Sequence, residues 1–423
     1  MSIYVQSLFY AIPIFMVLII IEAITAQLKG TPVNHSADMI SSLSSGVTNT
    51  IRDGLKFGFA IISYSWLVDH ITIYRLEPVW LAVIIAFIVQ DFTGYWIHRL
   101  NHRVNILWNR HIIHHSSEEF NLSCALRQSI SDTIRFSAIF MIPAALLGIP
   151  LSIFAIIGPI QLFMQFWYHT RLIDKMGWLE YILVTPSHHR VHHAINSEYI
   201  DKNYSQIFII WDKIFGSFQL EMKDVPPVYG ILRPARTWNP VIINFKHLWQ
   251  LMKDAWYTQR LMDKLIIWFM PTGWRPNDVA EKYPLEIIND PYNQKKYQTG
   301  NSPLLLAWSW IQLTLALLFM FHLFIIMRNF PIQMVYIYAI FIILHVFAYT
   351  TTLDGRKSAI IIELAKLIMG ILLLTVQEFN WYGSGGIMSG GIISYLIISQ
   401  VFTYYFLKEK KSLSSISQPV SFK

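Results

Sequence analysis

The 423-residue sequence predicts an all-α, multi-pass integral membrane protein that carries a histidine-rich site for two metal ions. Three observations lead to this prediction. Hydrophobic residues make up 54% of the chain and charged residues only 14%, whereas a soluble domain has about 25% charged residues. Apolar stretches close to the ~20 residues that cross a bilayer as a helix recur along the chain. Ten of the fifteen histidines fall between His98 and His193.

Nine apolar segments are the expected transmembrane helices. They are 4–26, 54–70, 79–97, 133–149, 151–169, 304–327, 331–351, 359–379 and 386–407. Pro143, Pro150 and Pro159 fall in or between the fourth and fifth segments. These two segments are therefore either spans, because membrane helices tolerate proline, or a re-entrant hairpin that does not fully cross.

The expected organisation has five parts. They are N-terminal transmembrane helices (1–78), a metal-binding core (79–220), a polar cytoplasmic or interfacial segment (221–303), a C-terminal group of transmembrane helices (304–410) and a cytoplasmic tail (411–423). The segment 221–303 includes a Trp- and Met-rich stretch near 241–265, for which we expect an interfacial helix.

Charge predicts the orientation of the chain. Basic residues concentrate in the loops of one side, including the whole of 170–303, while the opposite loops carry little beyond Arg75 and Arg328. Because cytoplasmic loops carry an excess of Lys and Arg, the histidine clusters are expected on the cytoplasmic face.

These basic loops also account for the net charge of +7, so no nucleic-acid partner is expected. The single cysteine, Cys124, excludes an internal disulfide and any Cys-based zinc or iron–sulfur site.

The histidines form three tight clusters, with one histidine alone between the last two. They are His98 and His102; His111, His114 and His115; His169; and His188, His189, His192 and His193. Histidines three or four positions apart share one face of a helix. Each cluster is therefore expected to direct two or three imidazoles at a common point. His188 lies off the shared face of its cluster, so we expect it as a ligand or as a hydrogen-bonding neighbour of the ligands.

The number of ligands indicates which metal binds. A catalytic zinc needs three protein ligands and a structural zinc needs four, whereas nine or ten histidines suit two metals with about five each. This higher coordination number favours a pair of redox-active irons. The Glu-x-x-His pattern of carboxylate di-iron bundles is absent from the sequence. A di-iron site at the membrane surface suggests a lipid substrate.

The isolated His35, His70, His247, His322 and His345 are expected to be structural.

The histidine order, His-x-x-x-His followed by two His-x-x-His-His motifs, resembles the fatty acid hydroxylase/sterol desaturase superfamily of membrane di-iron enzymes. The resemblance covers roughly residues 85–220. Longer strings within it are similar to the glyceryl-ether cleaving members of the superfamily. These strings are residues 95–102, 114–122, 125–129, 185–193, 199–204 and 211–218.

The resemblance implies an O₂-dependent hydroxylation of the carbon next to an ether oxygen, which releases an aldehyde and a glycerol derivative. It implies tetrahydrobiopterin as the electron donor and a membrane lipid as the substrate. The iron ligands that it implies are His98, His102, His111, His114, His115, His189, His192 and His193, together with His169. His188 joins this expected set as a member of the last cluster. Glu118 and Asn121 would orient ligands or bind a cofactor, and Asp91 stands where some relatives are expected to have glutamate.

Three other hypotheses stay open from the sequence. The same class of site would serve hydroxylation or desaturation of a sterol, a fatty acyl chain or a sphingoid base, because one fold hosts several substrates. A metal transporter would need ionisable residues near the bilayer midplane, whereas the expected spans are almost free of acids, with Glu22, Asp91 and Glu363 as the few near them. A lipid-binding scaffold would not need so many ligands. A bacterial cytoplasmic membrane and the endoplasmic reticulum both fit the sequence.

Overall fold

The computed structural model describes residues 3–416, with side chains described for residues 5–410. As expected, the chain is mostly helical, and its two short strands, β1 (Phe59–Ala60) and β2 (Ile134–Arg135), pair in parallel. The helices of the first half are α1 (Ile3–Leu28), α2 (Ser36–Gly54), α3 (Tyr64–Ile71), α4 (Val79–Arg103), α5 (Asn105–Trp108), α6 (Ile112–His115), α7 (Ile142–Leu146), α8 (Leu151–Phe166), α9 (Pro186–His193) and α10 (Ile210–Ile214).

Helices of the second half begin in the polar segment and end with the C-terminal group. They are α11 (Pro240–Tyr257), α12 (Leu261–Ile266), α13 (Asn277–Lys282), α14 (Pro303–Ile326), α15 (Ile332–Leu353), α16 (Ala359–Val376) and α17 (Gly385–Ile416). Of the expected tail at 411–423, residues 411–416 continue α17 and the rest lies outside the described residues.

Six helices of the described chain, rather than nine, are long and apolar enough to cross a membrane: α1, α4, α14, α15, α16 and α17. The expected span at 54–70 is divided between β1 and the eight-residue α3. The span at 133–149 contains β2, a 3₁₀ turn and the five-residue α7. Helix α8, with 16 residues, extends about 24 Å, short of the ~30 Å hydrocarbon core.

The short helices pack on α4, which carries the first histidine cluster. Their shared core includes Tyr64 of α3, Ala82 and Ala86 of α4, Ala145 of α7 and Phe154 of α8. The alanines let the neighbouring helices approach α4 closely, as small residues do in membrane helix packing. The α7–α8 pair thus supports the membrane helix that ends at the histidines.

A second core joins the C-terminal helices to α2, a buried helix that hydropathy does not identify. Ile40, Val47 and Ile51 of α2 pack in one cluster with Phe324 of α14 and Tyr349 of α15. Four serines of α2 are also buried, namely Ser41, Ser42, Ser44 and Ser45. The last three form hydrogen bonds with other parts of the protein or with α2 itself. Through α2 the C-terminal group is connected to the loop that follows the second histidine cluster.

The C-terminal helices enclose a polar network. Lys366 Nζ lies 2.7 Å from Glu363 Oε2, and both side chains are buried. The ammonium also donates to Tyr395 and Ser399 of α17. The Tyr395 hydroxyl in turn donates to Gln312 of α14 and contacts His345 of α15. Since charge inside a bilayer is costly unless it is paired, this network holds the four helices in one arrangement.

Helix α11 lies on the segment that bears the second histidine cluster. His247 of α11 bonds through Nε2 to the Asn105 carbonyl at 2.9 Å, and the Leu248 N–H donates to Asn109 Oδ1. The opposite side of α11 presents a stripe of exposed apolar residues at helical spacing, namely Phe245, Trp249, Met252 and Trp256. Such a face is typical of a helix at a membrane surface.

Candidate metal centre

Four parts of the fold bring the clustered histidines together. His98 and His102 lie in the last turns of α4, and His114 and His115 lie in α6 directly after His111. His169 follows α8, and the last cluster lies on α9. Proline at the first turn of α9 suits its fixed φ, and Thr185 and His188 form a capping box there.

Nine of the histidines gather into two groups. The first histidine group contains His98, His102, His111, His115 and His192, and the second histidine group contains His114, His169, His189 and His193. In each group, one nitrogen from every ring lies within 4.8 Å of the others. All are buried except His111, which is partly buried. The expectation of two metals with about five ligands each agrees with this division.

The groups divide the sequence clusters, which corrects the expectation that each cluster directs its rings at one point. His114 and His115 belong to different groups, and so do His192 and His193. Consecutive residues on a helix point about 100° apart, so neighbouring histidines face two separate centres. The i,i+4 pairs behave as expected: His98 and His102 share the first group, while His189 and His193 share the second.

Within the groups, the Nε2 atoms approach one another closely. His98 Nε2 lies 2.9 Å from His111 Nε2. His189 Nε2 lies 2.8 Å from His169 Nε2 and 3.0 Å from His193 Nε2. With a metal–nitrogen bond of about 2.1 Å, adjacent ligands at right angles are about 3 Å apart. The spacing of the imidazoles therefore fits metal coordination.

The other ring nitrogen of four histidines bonds to a backbone carbonyl. Nδ1 lies 2.6 Å from Tyr204 O in His98 and 3.0 Å from Lys202 O in His192. In the second group, Nδ1 lies 3.1 Å from Arg127 O in His114 and 2.9 Å from Gln165 O in His169. A proton on Nδ1 that donates to a carbonyl leaves the Nε2 lone pair free for a metal.

Two buried carboxylates hold the loop that supplies Tyr204 and Lys202. Asp212 accepts from the N–H groups of Tyr204 and Ser205 at 2.8 and 2.9 Å. Asp91 of α4 accepts from the N–H groups of Ile207 and Phe208 and from the indole of Trp211. The aspartate at position 91 thus has a structural role, and both carboxylates position the first group from behind its ligands.

The second group has a similar support in Arg127. Its guanidinium lies 2.7 Å from Asp38 of α2, and both side chains are buried. It also donates to Ser42 and Ser116, while Ser117 donates to the other Asp38 oxygen at 2.7 Å. Arg127 lies in the family string 125–129, but nothing in the sequence pairs it with Asp38. The ion pair fixes the loop whose carbonyl orients His114.

Burial of the site favours neutral imidazoles. Desolvation lowers the pKa of His114 to about 3 and lowers the pKa of His111, His115 and His189 well below the ordinary value. Within the described residues, Nε2 of His102, His115 and His192 has no hydrogen-bond partner although it is buried. A buried polar nitrogen without a partner is costly. Neutral, unpartnered nitrogens that converge on one point fit a metal ion.

His188 does not join either group, which corrects its assignment as a metal ligand. Its Nδ1 lies 3.4 Å from the N–H and the hydroxyl of Thr185 at the start of α9. Its ring lies against Phe218. Position 188 is three residues into α9 and faces away from His189, so the side chain caps the helix.

Glu118 and Asn121 also lie in structural contacts. Glu118 Oε2 accepts from the N–H of Tyr297 at 2.5 Å, and burial raises the pKa of this carboxyl. Asn121 donates to the Val33 carbonyl and accepts from Ser123. Each side chain anchors another part of the chain to the loop after the second cluster. It is Phe120, between them, whose ring contacts His169, His189 and His193.

The five isolated histidines lie outside both groups, in agreement with the expectation. His35 stacks on Trp238, and His70 stacks on Trp66. His247 bonds to a backbone carbonyl, His322 lies 3.0 Å from the Tyr338 hydroxyl, and His345 belongs to the polar network of the C-terminal helices.

A cavity of ≈ 600 Å³ reaches the histidines. Its inner end is formed by His102, His115 and His192 of the first group and His193 of the second. Apolar side chains such as Trp108, Ile112, Ile231, Leu232 and Ile243 form much of its wall, and Arg233, Lys246 and Glu286 also line it. Pockets of this size and character bind small molecules. Most of the outer wall comes from the 221–303 segment.

Comparisons with known proteins agree with this site. The fatty acid hydroxylase family matches residues 83–217, the region that contains both histidine groups. Alkylglycerol monooxygenase of Homo sapiens is 36% identical over 86% of this chain and 81% of the human protein. The Danio rerio protein of that name is 35% identical over the same shares. Ornithine lipid hydroxylase of Rhizobium tropici is 33% identical over 33% of this chain and 43% of its own length.

No solved structure matches this chain. The human and zebrafish proteins extend the match well beyond the histidine core, into the C-terminal helices. The chain belongs to the fatty acid hydroxylase family and is an oxidoreductase of the monooxygenase type.

Proposed function

We propose that this protein is a membrane-bound di-iron monooxygenase that hydroxylates the ether-linked carbon of alkylglycerols. The product, a hemiacetal, separates into a fatty aldehyde and a glycerol derivative. The cavity carries the proposal, because it joins a largely apolar space to histidines of both groups. The substrate class rests on relatives named alkylglycerol monooxygenase that match most of the chain.

The nine histidines of the two groups would hold the irons, five on one and four on the other. Bound there, the irons would supply the activation of O₂ for insertion of one oxygen atom into a C–H bond. Neutral imidazoles add no negative charge to such a centre, which keeps it electrophilic. His188, Glu118 and Asn121 support the surrounding structure and are not in our proposed ligand set.

The protein's own part is to orient the ligands, admit the alkyl chain and exclude water. Backbone carbonyls fix four rings. Phe120 covers one side of the second group with an apolar ring. The apolar cavity wall receives the alkyl chain, while Arg233, Lys246 and Glu286 offer polar contacts to the glycerol end. Such orientation places one C–H bond against the oxidant.

The reaction also needs two electrons, and we propose tetrahydrobiopterin as their source, from the resemblance to glyceryl-ether cleaving enzymes. We place the histidine groups on the cytoplasmic face, because the basic residues of the chain concentrate in the loops on that side. The exposed apolar stripe of α11 supports an interfacial position for the segment that covers the cavity.

A second lipid class is the alternative within the same chemistry. The ornithine lipid hydroxylase of Rhizobium tropici and a sterol desaturase of Aspergillus fumigatus each match about a third of the chain, 33% and 37%. These matches cover about a third of the chain, whereas the human and zebrafish alkylglycerol monooxygenases match 86% of it, and the longer match favours alkylglycerols. The monooxygenase relatives also favour an enzyme over the metal transporter considered from the sequence.

The test is turnover by the purified protein in lipid nanodiscs. With iron, O₂, a tetrahydropterin and an alkylglycerol, we expect a fatty aldehyde to form. His192→Ala should abolish it, and His70→Ala, the same change outside both groups, should not. Oxidation of a sterol or an acyl lipid without aldehyde formation from alkylglycerol would move the substrate to the alternative. Full activity of His192→Ala would refute the metal site.

A further inference from the structure

A second cavity, of ≈ 410 Å³, lies beside the first histidine group. It borders the histidine-lined cavity, with which it shares Ile200 and Asp201. It is formed by the end of α4 and the loops around residues 197–204 and 216–217. Its lining includes Arg99, Arg103 and Lys202, with Asp201 as the carboxylate among the described lining residues. Cationic side chains therefore outnumber the acid three to one.

The two arginines are one helical turn apart at the end of a membrane helix. Arg99 donates through Nη1 to the Tyr95 hydroxyl and the Phe215 carbonyl. Arg103 donates through Nη1 to Asp201 Oδ2 at 2.7 Å, in an exposed pair. Each guanidinium thus keeps further N–H groups for a ligand, since arginine has five. Both lie at the end of α4, one of the helices that are long and apolar enough to cross a membrane.

Tyr204 gives the cavity a buried polar group. Its side chain is 1% exposed, and within the described residues no hydrogen bond of ordinary geometry reaches its hydroxyl, although the Asp201 carboxylate lies near enough to interact with it. Tyr204 belongs to the lining of the basic cavity. A buried hydroxyl beside three cations is suited to an anion with several acceptor oxygens.

We propose that this cavity is a phosphate-binding site, with Arg103, Lys202 and Tyr204 as donors to a phosphate group. A phospholipid head group and soluble phosphate share this chemistry, and the experiment separates them. The proposed phosphate site does not depend on the proposed reaction with alkylglycerol. It contacts the first histidine group through Tyr204, whose ring centroid is 5.3 Å from that of His102 and 5.9 Å from that of His98. Bound phosphate would fix the loop whose carbonyls orient His98 and His192.

The experiment measures thermal unfolding of the metal-loaded protein in detergent against inorganic phosphate, with chloride at matched ionic strength as reference. A ligand that binds only the folded state raises the melting temperature. We expect a saturable rise with phosphate. The double variant Arg103→Gln/Lys202→Gln should need about tenfold more phosphate or more, because it loses charged hydrogen bonds. Lys223→Gln, an exposed cation outside the cavity, should behave as the parent.

Tyr204→Phe separates binding from a structural role. Removing a buried hydroxyl that no hydrogen bond of ordinary geometry reaches should leave the melting temperature without phosphate equal or higher. The phosphate needed for half of the shift should rise about threefold or more. An unchanged phosphate response in both this variant and the double variant would overturn the proposal.

Nanodiscs identify the source of the phosphate. Stabilisation by phosphatidylglycerol or phosphatidic acid over phosphatidylcholine, lost in the double variant, identifies an anionic phospholipid. Stabilisation by inorganic phosphate alone identifies a soluble ligand. No response to either probe would overturn the proposal, whether or not the protein oxidises alkylglycerol.

Discussion

The Nδ1 atom of His98 lies 2.6 Å from the carbonyl oxygen of Tyr204, although the two residues are 106 positions apart in the chain. The N–H of the same Tyr204 donates to Asp212 at 2.8 Å. A continuous series of hydrogen bonds thus runs from a buried carboxylate, through one residue's backbone, to a histidine of the first group. Partners of this kind orient ligands and tune their affinity for metal.

Asp212→Asn should lower the iron affinity of the first group while the protein stays folded. The amide can accept fewer of the hydrogen bonds from Tyr204, Ser205 and Ser217, so the carbonyl behind His98 loses its fixed position. We expect a loss of about 10- to 100-fold in affinity. Iron titration of the apoprotein measures it. Asp224→Asn, an exposed position, is the control, and equal affinities in both variants would contradict this role.

Asp38→Asn should destabilise the protein strongly. The change leaves the Arg127 guanidinium buried without its counter-charge, which costs about 3–5 kcal/mol of the free energy of unfolding. Denaturation in detergent gives the value. In Asp174→Asn, where the carboxylate is 96% exposed and 3.9 Å from Arg190, we expect a loss of about 1 kcal/mol or less. Similar losses in the two variants would show that the buried pair is not structural.

His188→Ala and His189→Ala should differ in iron content. His189 belongs to the second histidine group, whereas its neighbour caps α9. Elemental analysis should find about two irons per chain in His188→Ala, as in the parent, and about one in His189→Ala, because one centre loses a ligand. Loss of iron from His188→Ala with normal content in His189→Ala would reverse the assignment.

Chelation of the metal should lower the thermal stability of the protein. Without an ion, the Nε2 lone pairs of His102, His115 and His192 would stay buried and unpaired in the first histidine group. Binding to the folded state alone stabilises it, so we expect a lower melting temperature after treatment with a chelator and recovery with Fe²⁺. A melting temperature that does not respond to the chelator would argue against metal in these groups.

Leu232→Trp should obstruct the histidine-lined cavity. Leu232 lines that cavity and is 36% exposed. The larger indole ring can therefore project into the cavity without displacing buried side chains. We expect kcat/KM for alkylglycerol to fall about tenfold or more, since a misplacement of ~1 Å can cost about 10²-fold. Iron content should stay unchanged. Leu220→Trp, outside the lining, is the control, and equal activity in both would exclude this cavity as the substrate site.

Local spacing in the sequence was enough to predict the helical membrane class and to single out the nine histidines that the fold brings together. Ligands three and four positions apart on a helix give a pattern that sequence alone displays, and His98 with His102 behaves as that pattern predicts. The family string 199–204 also has a structural role near the site. The backbone carbonyls of Lys202 and Tyr204, in this string, form hydrogen bonds with His192 and His98.

The tertiary structure decided how the ligands divide and what holds them. Backbone carbonyls behind the rings have no side-chain signature, and the contact between Asp38 and Arg127 depends on how α2 packs. The division of His114 from His115 follows from where the two centres lie around α6. Likewise, hydropathy predicted nine apolar membrane spans. In the folded chain, the segments 54–70, 133–149 and 151–169 form helices that are too short to cross, and these short helices pack on α4. Local spacing determines which residues share a helix face, and only long-range packing determines what that face meets.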